Sequence, residues 1–99
     1  MSDDIRAGIN GSAALTVAIR LLRAAGVDMP QRDARILLAW ALNISTDRIA
    51  LALSDGLNAR SAERYQGAIV KRAQRMPVSL ILGRREFYGR KFIVTADVL

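Results

Sequence analysis

The apolar positions of this chain follow one period up to about residue 82 and another after it. From Leu15 to Leu82 they recur every three or four residues, the spacing of one helix face; beyond Gly83 they come in short β-branched and aromatic runs. Leu15, Ala18, Ile19, Leu22 and Ala25 share a face, which predicts a helix capped by Ser12 and stopped by Gly26. Pro30 suits a helix entrance and not a helix interior, so the next helix runs from Gln31 to Leu42 and stops at Asn43. Its main stripe is Ala34, Leu37, Leu38, Ala41 and Leu42. Ile36 and Trp40 form a second stripe, and two apolar sides predict a central helix with Trp40 in the core. Ser45 or Thr46 caps a shorter helix carrying Ile49, Leu51 and Leu53, ended by Ser54-Asp55-Gly56. Asn58 caps a long helix to about Arg75, with Ala62, Tyr65, Ile69, Arg72 or Ala73, and Met76 inward. Pro77 opens a last short helix, Val78 to Leu82, closed by Gly83. A further short helix is expected over Asp3 to Gly8, before the Asn10-Gly11 turn signal.

After Gly83, Glu86-Phe87-Tyr88 and Lys91-Phe92-Ile93-Val94-Thr95 flank Gly89-Arg90 and predict two short strands around a turn. The fold class is therefore mainly α: a small bundle of about five helices followed by a short C-terminal β-hairpin. The division falls at residues 1–83 for the bundle and 84–99 for the hairpin. A lone hairpin is marginal in water, so this one must pack on the helices or on further protein. Its uncovered edge also favours self-pairing, which makes residues 85–95 a candidate dimer surface.

Charge changes the picture at the same end. Residues 1–63 carry seven Lys/Arg and seven Asp/Glu, whereas residues 64–91 carry eight cations against Glu86 alone. One end of the molecule is positive, which suits nucleic acid, an acidic protein face or an acidic neighbouring domain. With no Cys there is no disulfide and no thiolate chemistry, and a reducing compartment fits. With no His the commonest general base is missing, and a metal site would need carboxylates alone. The acidic start MSDDIRAG has no apolar core of the secretory-signal type, and no apolar run approaches the ~18 residues of a membrane span. A cytoplasmic location without membrane contact is expected.

Candidate chemistry is sparse. The seven glycines never come in G-x-G spacing, so no phosphate or dinucleotide loop is present. Capping and helix-dipole roles account for Asp28, Asp33 and Asp47. Gly67, inside the long helix, costs roughly 1 kcal/mol against Ala, and either a close helix contact or chance explains it. The tail interleaves Arg84, Arg85, Arg90 and Lys91 with Phe87, Tyr88 and Phe92. Such a mixture can bind phosphates and stack bases. The simpler account buries Phe87 and Phe92 in the hairpin and leaves the charges solvated, with Glu86 paired to an arginine.

Two stretches carry a family resemblance. Arg32-Asp33-Ala34-Arg35-Ile36-Leu37-Leu38 resembles the R-D-A-x-x-L-L signature of the release-factor glutamine methyltransferases, the HemK/PrmC family. Pro77, Val78 to Leu82, and Gly83-Arg84-Arg85-Glu86-Phe87, preceded by Arg75, resemble that family's proline, apolar turn and G-x-x-E-F segment. The resemblance covers about Leu15 to Leu99. It implies a helical N-terminal bundle, a hairpin linker and a C-terminal Rossmann-like domain. That domain transfers methyl from S-adenosylmethionine to the glutamine of the Gly-Gly-Gln tip of peptide chain release factors. The family's cofactor loop and N-P-P-Y motif have no counterpart in this sequence, so the resemblance assigns it no catalytic, cofactor-binding or metal residue. This chain would end just short of the family's P-R-P-x-T-E stretch and be inactive alone, with S-adenosylmethionine belonging to the parent enzyme.

What remains for these residues is recognition. Arg72, Arg75, Pro77, Gly83, Arg84, Arg85, Glu86 and Phe87 are the candidate contacts with a release factor or with the chain's own catalytic domain. The rival reading is a small basic helical module that binds nucleic acid, and the first reading expects at most weak nucleic-acid binding. A third is a free-standing adaptor domain.

Overall fold

The computed structural model describes residues 5–83; from Gly11 to Leu82 they form short helices and their connections. The elements are α1 (Gly11–Ala24), α2 (Pro30–Leu42), a 3₁₀ turn (Thr46–Arg48) running into α3 (Ile49–Ala52), α4 (Ala59–Ala73) and α5 (Val78–Leu82). The hairpin expected beyond Gly83 lies outside the described residues.

Helix α2 is the hub, packed against α1, α4, α5, α3 and the 3₁₀ turn. The reason lies in its sequence. Ala34, Leu37, Leu38, Ala39 and Ala41 are all buried, so apolar positions occupy more than one side of the helix. Helix α1 presents Ala14, Ala18 and Leu22 to it, and α4 presents Ala62, Tyr65, Ala68 and Ile69. Ile5, Val27, Ile49, Leu57 and Ile81 close the core from the connections and short helices. On α1 the buried line is Ala14, Ala18 and Leu22, with Leu15, Ile19 and Ala25 flanking it. The small alanines set the centre of the face, and the larger side chains reach in from its edges.

Helix α1 begins one residue after Asn10 rather than at Ser12. The Asn10 side-chain oxygen accepts from the Ala13 amide at 2.8 Å. Asn is as good a cap as Ser, and the earlier start satisfies more donors. Gly11 N donates to the Asp55 carbonyl (3.0 Å) and Ser12 N to that of Leu53 (2.8 Å). Only glycine fits there: a Cβ on Gly11 would lie 2.9 Å from the Ala52 carbonyl oxygen.

The expected helix over Asp3 to Gly8 is corrected. Asp3 and Asp4 lie outside the described residues, and 5–8 are not helical. Gly8 N donates to the Leu57 carbonyl at 2.8 Å, and Leu57 N to that of Ile9 at 2.7 Å. Pairing with 55–57 satisfies backbone groups that an isolated turn of helix leaves open, and it buries Ile5.

Three helices end in the same way. After α1, α2 and α4 the chain takes one residue at positive φ: Gly26, Asn43 and Arg75. In each, the next amide reaches back five residues: Val27 to Leu22, Ile44 to Ala39, and Met76 to Lys71, at 3.0–3.1 Å. This is the Schellman stop. Gly26 and Asn43 are where the sequence predicts them. At α4 the stop falls before Arg75, so the helical phase is lost and Met76 turns outward, against the expected inward position.

Candidate partner interface

Of the expected contact residues, the structure describes four: Arg72, Arg75, Pro77 and Gly83. Arg84, Arg85, Glu86 and Phe87 lie outside the described residues. Arg72, Arg75 and Pro77 stand at one corner, where α4 stops and α5 begins, and Gly83 at the far end of α5. Pro77 is the N-cap residue of α5, and its carbonyl accepts from Leu80 and Ile81 at 3.0 and 3.2 Å. Gly83 closes α5 at φ +73, a conformation that favours glycine, with its amide on the Ser79 carbonyl.

The two arginines turn toward the chain itself. Arg72 Nε donates to Asp33 Oδ2 at 2.8 Å, and its Nη1 to the Met76 carbonyl at 3.1 Å. The Asp33 side chain is 1% exposed and that of Arg72 21%, so this is a largely buried ion pair joining α2 to the end of α4. Arg32 adds a longer contact to Asp33 Oδ1 at 3.3 Å from a mostly exposed position. Arg75 Nη2 reaches the Ala25 carbonyl, at the end of α1, at 3.2 Å.

Asp33 thus does more than the helix-dipole role its place in the first turn suggests. The sequence signal was present in two halves: an aspartate at an apolar stripe's edge in α2, and an arginine in the inward register of α4. Asp28 is not the cap of α2. Met29 holds that position, without a side-chain bond. Trp40 differs from its expected core position too. It is half-buried, with the Arg64 guanidinium 4.2 Å from its ring centroid and Arg64 Nη2 donating to the Trp40 carbonyl at 3.3 Å. A cation over an indole face gains about 0.5–1 kcal/mol at such partly exposed sites.

Tyr65 is the other polar group drawn inside. Its hydroxyl donates to the Ala34 carbonyl at 2.9 Å, and burial pushes its pKa well above the usual tyrosine value. It is a structural donor, held too protonated for acid–base work near neutral pH. Among the described residues no group of carboxylates could hold a metal ion, and no helix is long and apolar enough to cross a membrane.

Arg64, Arg72 and Arg75 therefore anchor their guanidinium groups on this chain's own ring, carboxylate and carbonyls. Much of the positive charge in residues 64–83 stabilises the fold. The exposed apolar residues on the same elements are Val70, Met76 and Leu80. An open cleft of about 470 Å³ lies between the end of α2 and the start of α4, lined by Asn43, Arg60, Ser61 and Arg64 among others.

Comparison with known proteins places this geometry. The model of the PrmC N-terminal domain matches residues 13–83. A release factor glutamine methyltransferase of Cereibacter sphaeroides is 48% identical over 86 residues, covering 87% of this chain and 31% of that protein. One from Moorella thermoacetica is 37% identical over 86 residues, covering 87% of this chain and 30% of that protein. A bifunctional methyltransferase of Rickettsia conorii is 34% identical over 85 residues, covering 86% of this chain and 16% of its own length. The chain thus spans less than a third of the length of these relatives, and no solved structure matches it significantly. The matched residues take in all of α2 to α5, the Asp33–Arg72 pair and the corner between α4 and α5, and the chain belongs to the PrmC N-terminal domain family.

Proposed function

We propose that this chain is the release-factor-recognition domain of an S-adenosylmethionine-dependent protein-glutamine methyltransferase, working in the cytoplasm on the Gly-Gly-Gln glutamine of peptide chain release factors. The observation that carries the reading is 48% identity across 87% of the chain to a release factor glutamine methyltransferase. In this reading residues 1–83 are the docking bundle and 84–99 a hairpin linker toward a catalytic domain. Arg84, Arg85, Glu86 and Phe87 then contact the release factor or that domain, beside Pro77 and Gly83. Arg72 and Arg75 shape the corner from which those residues leave.

The described residues do not fit the cofactor. They contain no strand leading through a glycine-rich turn into a helix, and no step through S-adenosylmethionine is derived for them. Their contribution is positional. Binding energy gained on a bundle remote from the reaction is used to align the glutamine amide with the methyl group.

Calorimetric titration of the purified 99-residue chain with a release factor tests the reading. Saturable binding to the release factor is expected, together with only weak, sequence-indifferent binding of labelled single-stranded RNA. No binding to release factor, with tight RNA binding that weakens steeply with salt through counterion release, would replace this reading by the basic nucleic-acid module. Methyl transfer to a release factor by the chain alone would overturn the division of labour.

A further inference from the structure

We infer that Arg72 and Arg75 form a two-point clamp that fixes the corner between α4 and α5 and thereby sets the direction in which the chain leaves the bundle at Gly83. Helix α5 has only five residues, no side-chain cap at its N-terminus, and Ile81 as its one buried residue. A helix that short has no stability of its own. Ile81, with Val78 and Leu82 partly buried beside it, rests α5 on the core, and the angle at which it enters comes from what holds Met76 and Pro77.

Beside the Met76 amide's own bond to the Lys71 carbonyl, two guanidinium groups do the holding. Arg72 grips the Met76 carbonyl at 3.1 Å while its Nε is fixed to the buried Asp33 carboxylate at 2.8 Å. The corner is thereby referred to α2, the hub. Arg75 stands at φ +75 and reaches the Ala25 carbonyl at 3.2 Å, which refers the same corner to the end of α1. Its guanidinium lies so close over Gly26 that a Cβ there would sit 3.0 Å from Nη2. A non-glycine residue in the left-handed region is strained, and the Ala25 bond opposes that strain. Fixed at two points to two helices, the corner cannot pivot about either one. A buried ion pair of this kind adds little net stability over an apolar pair, so specifying one geometry is the role that suits it. Under the function proposed above, this direction aims the catalytic domain. That consequence rests on the proposed function; the clamp itself does not.

Native-state amide exchange by NMR on the 99-residue chain tests it. The readout is the exchange rate of the Leu80, Ile81 and Gly83 amides relative to core amides of α2 and α4. Two variants are compared with the parent sequence: the apolar replacement pair Asp33→Leu with Arg72→Met, and Arg75→Gly, which removes the guanidinium and also the left-handed strain. The expected result is at least tenfold faster exchange of the α5 amides relative to the core in each variant. An unchanged ratio in the folded variants would show that the apolar packing of Val78, Ile81 and Leu82 holds α5 by itself, and would overturn the clamp. Should the double variant not fold, Arg75→Gly decides by the same ratio.

Discussion

Gly67 and Gly11 make opposite predictions for one substitution, glycine to alanine, and the pair tests how the bundle is packed. Gly67 sits in the middle of α4 on its exposed face, with no heavy atom within 4 Å of where a Cβ would stand and with ordinary helical φ. The close helix contact that a mid-helix glycine suggests is absent. The residue therefore costs backbone entropy with no compensating contact, and Gly67→Ala gains about 0.8–1.0 kcal/mol. The added methyl buries nothing, so no hydrophobic gain is added. In a domain of this size about 1 kcal/mol raises Tm by roughly 4–8 °C.

At Gly11 the same methyl meets the Ala52 carbonyl oxygen at 2.9 Å and the Leu53 Cα at 3.1 Å. Both are backbone atoms, which cannot swing aside as a side chain would. The start of α1 must then move off the 53–55 segment, stretching the Gly11 and Ser12 hydrogen bonds to Asp55 and Leu53. Overpacking of this kind costs about 1–3 kcal/mol. Thermal unfolding followed by far-ultraviolet circular dichroism measures both variants, with urea titration as the second method. A lower Tm for Gly67→Ala would refute the exposed-face reading, and a neutral Gly11→Ala would refute the close approach of α1 to α3.

Tyr65→Phe should cost about 0.5–1.5 kcal/mol in urea unfolding, because it removes a buried hydroxyl donor and leaves the Ala34 carbonyl without that partner. Alkaline pH tests the same residue: the unfolded chain ionises Tyr65 near its ordinary pKa of about 10 while the folded chain holds the proton, so stability falls as pH rises above about 10, by up to ~1.4 kcal/mol per pH unit, and this component is missing in Tyr65→Phe. Arg72→Met alone leaves the Asp33 carboxylate buried without its main partner and should cost about 3–5 kcal/mol, whereas adding Asp33→Leu should restore most of that, a recovery measured by urea midpoints. Arg64→Gln should cost about 0.5–1 kcal/mol and shift the fluorescence of Trp40, the chain's single tryptophan, as the cation leaves its ring; an emission spectrum identical to that of the parent sequence would remove the contact.

Helix positions were legible because periodicity, caps and stops agreed. Asn43, Gly26, Asn58 and Pro30 each stand at the element ends they predict. The errors came where two local signals competed. Asn10 and Ser12 are both good caps, and only the carbonyls of 53–55, far away in sequence, choose Asn10. Met76 fits the inward phase of α4 until Arg75 takes positive φ, which no side-chain preference announces, since arginine is not a residue that favours it. The surroundings of the candidate contact residues were less legible. Charge summed along the sequence marks residues 64–91 as a positive end, but a sum cannot tell an arginine that faces solvent from one committed to a carboxylate. Arg72, which fits the inward register of α4, was still assigned to a partner because Asp33, its own partner, is 39 residues away and had a sufficient local explanation as a helix-dipole residue.

The same pairing explains what the Arg32-Asp33-Ala34 stretch does. Asp33 receives Arg72 from α4. Ala34, fully buried, offers its carbonyl to Tyr65 two turns earlier on α4, and a larger side chain there would hold the two helices apart. Leu37 and Leu38 then fill the core on successive sides of the same helix. The aspartate and alanine of R-D-A-x-x-L-L thus bring α4 against α2 at one register, with an ion pair at one end and a tyrosine hydroxyl further along, while the two leucines fill the core. Apolar contacts alone tolerate sliding by a turn, because leucine meets leucine almost anywhere along the stripe. A carboxylate and a carbonyl that must each meet a particular donor do not. The register of α4 fixes where its Schellman stop falls, and the stop fixes where α5 begins. A short run in the second helix therefore governs the geometry of the corner some 40 residues later.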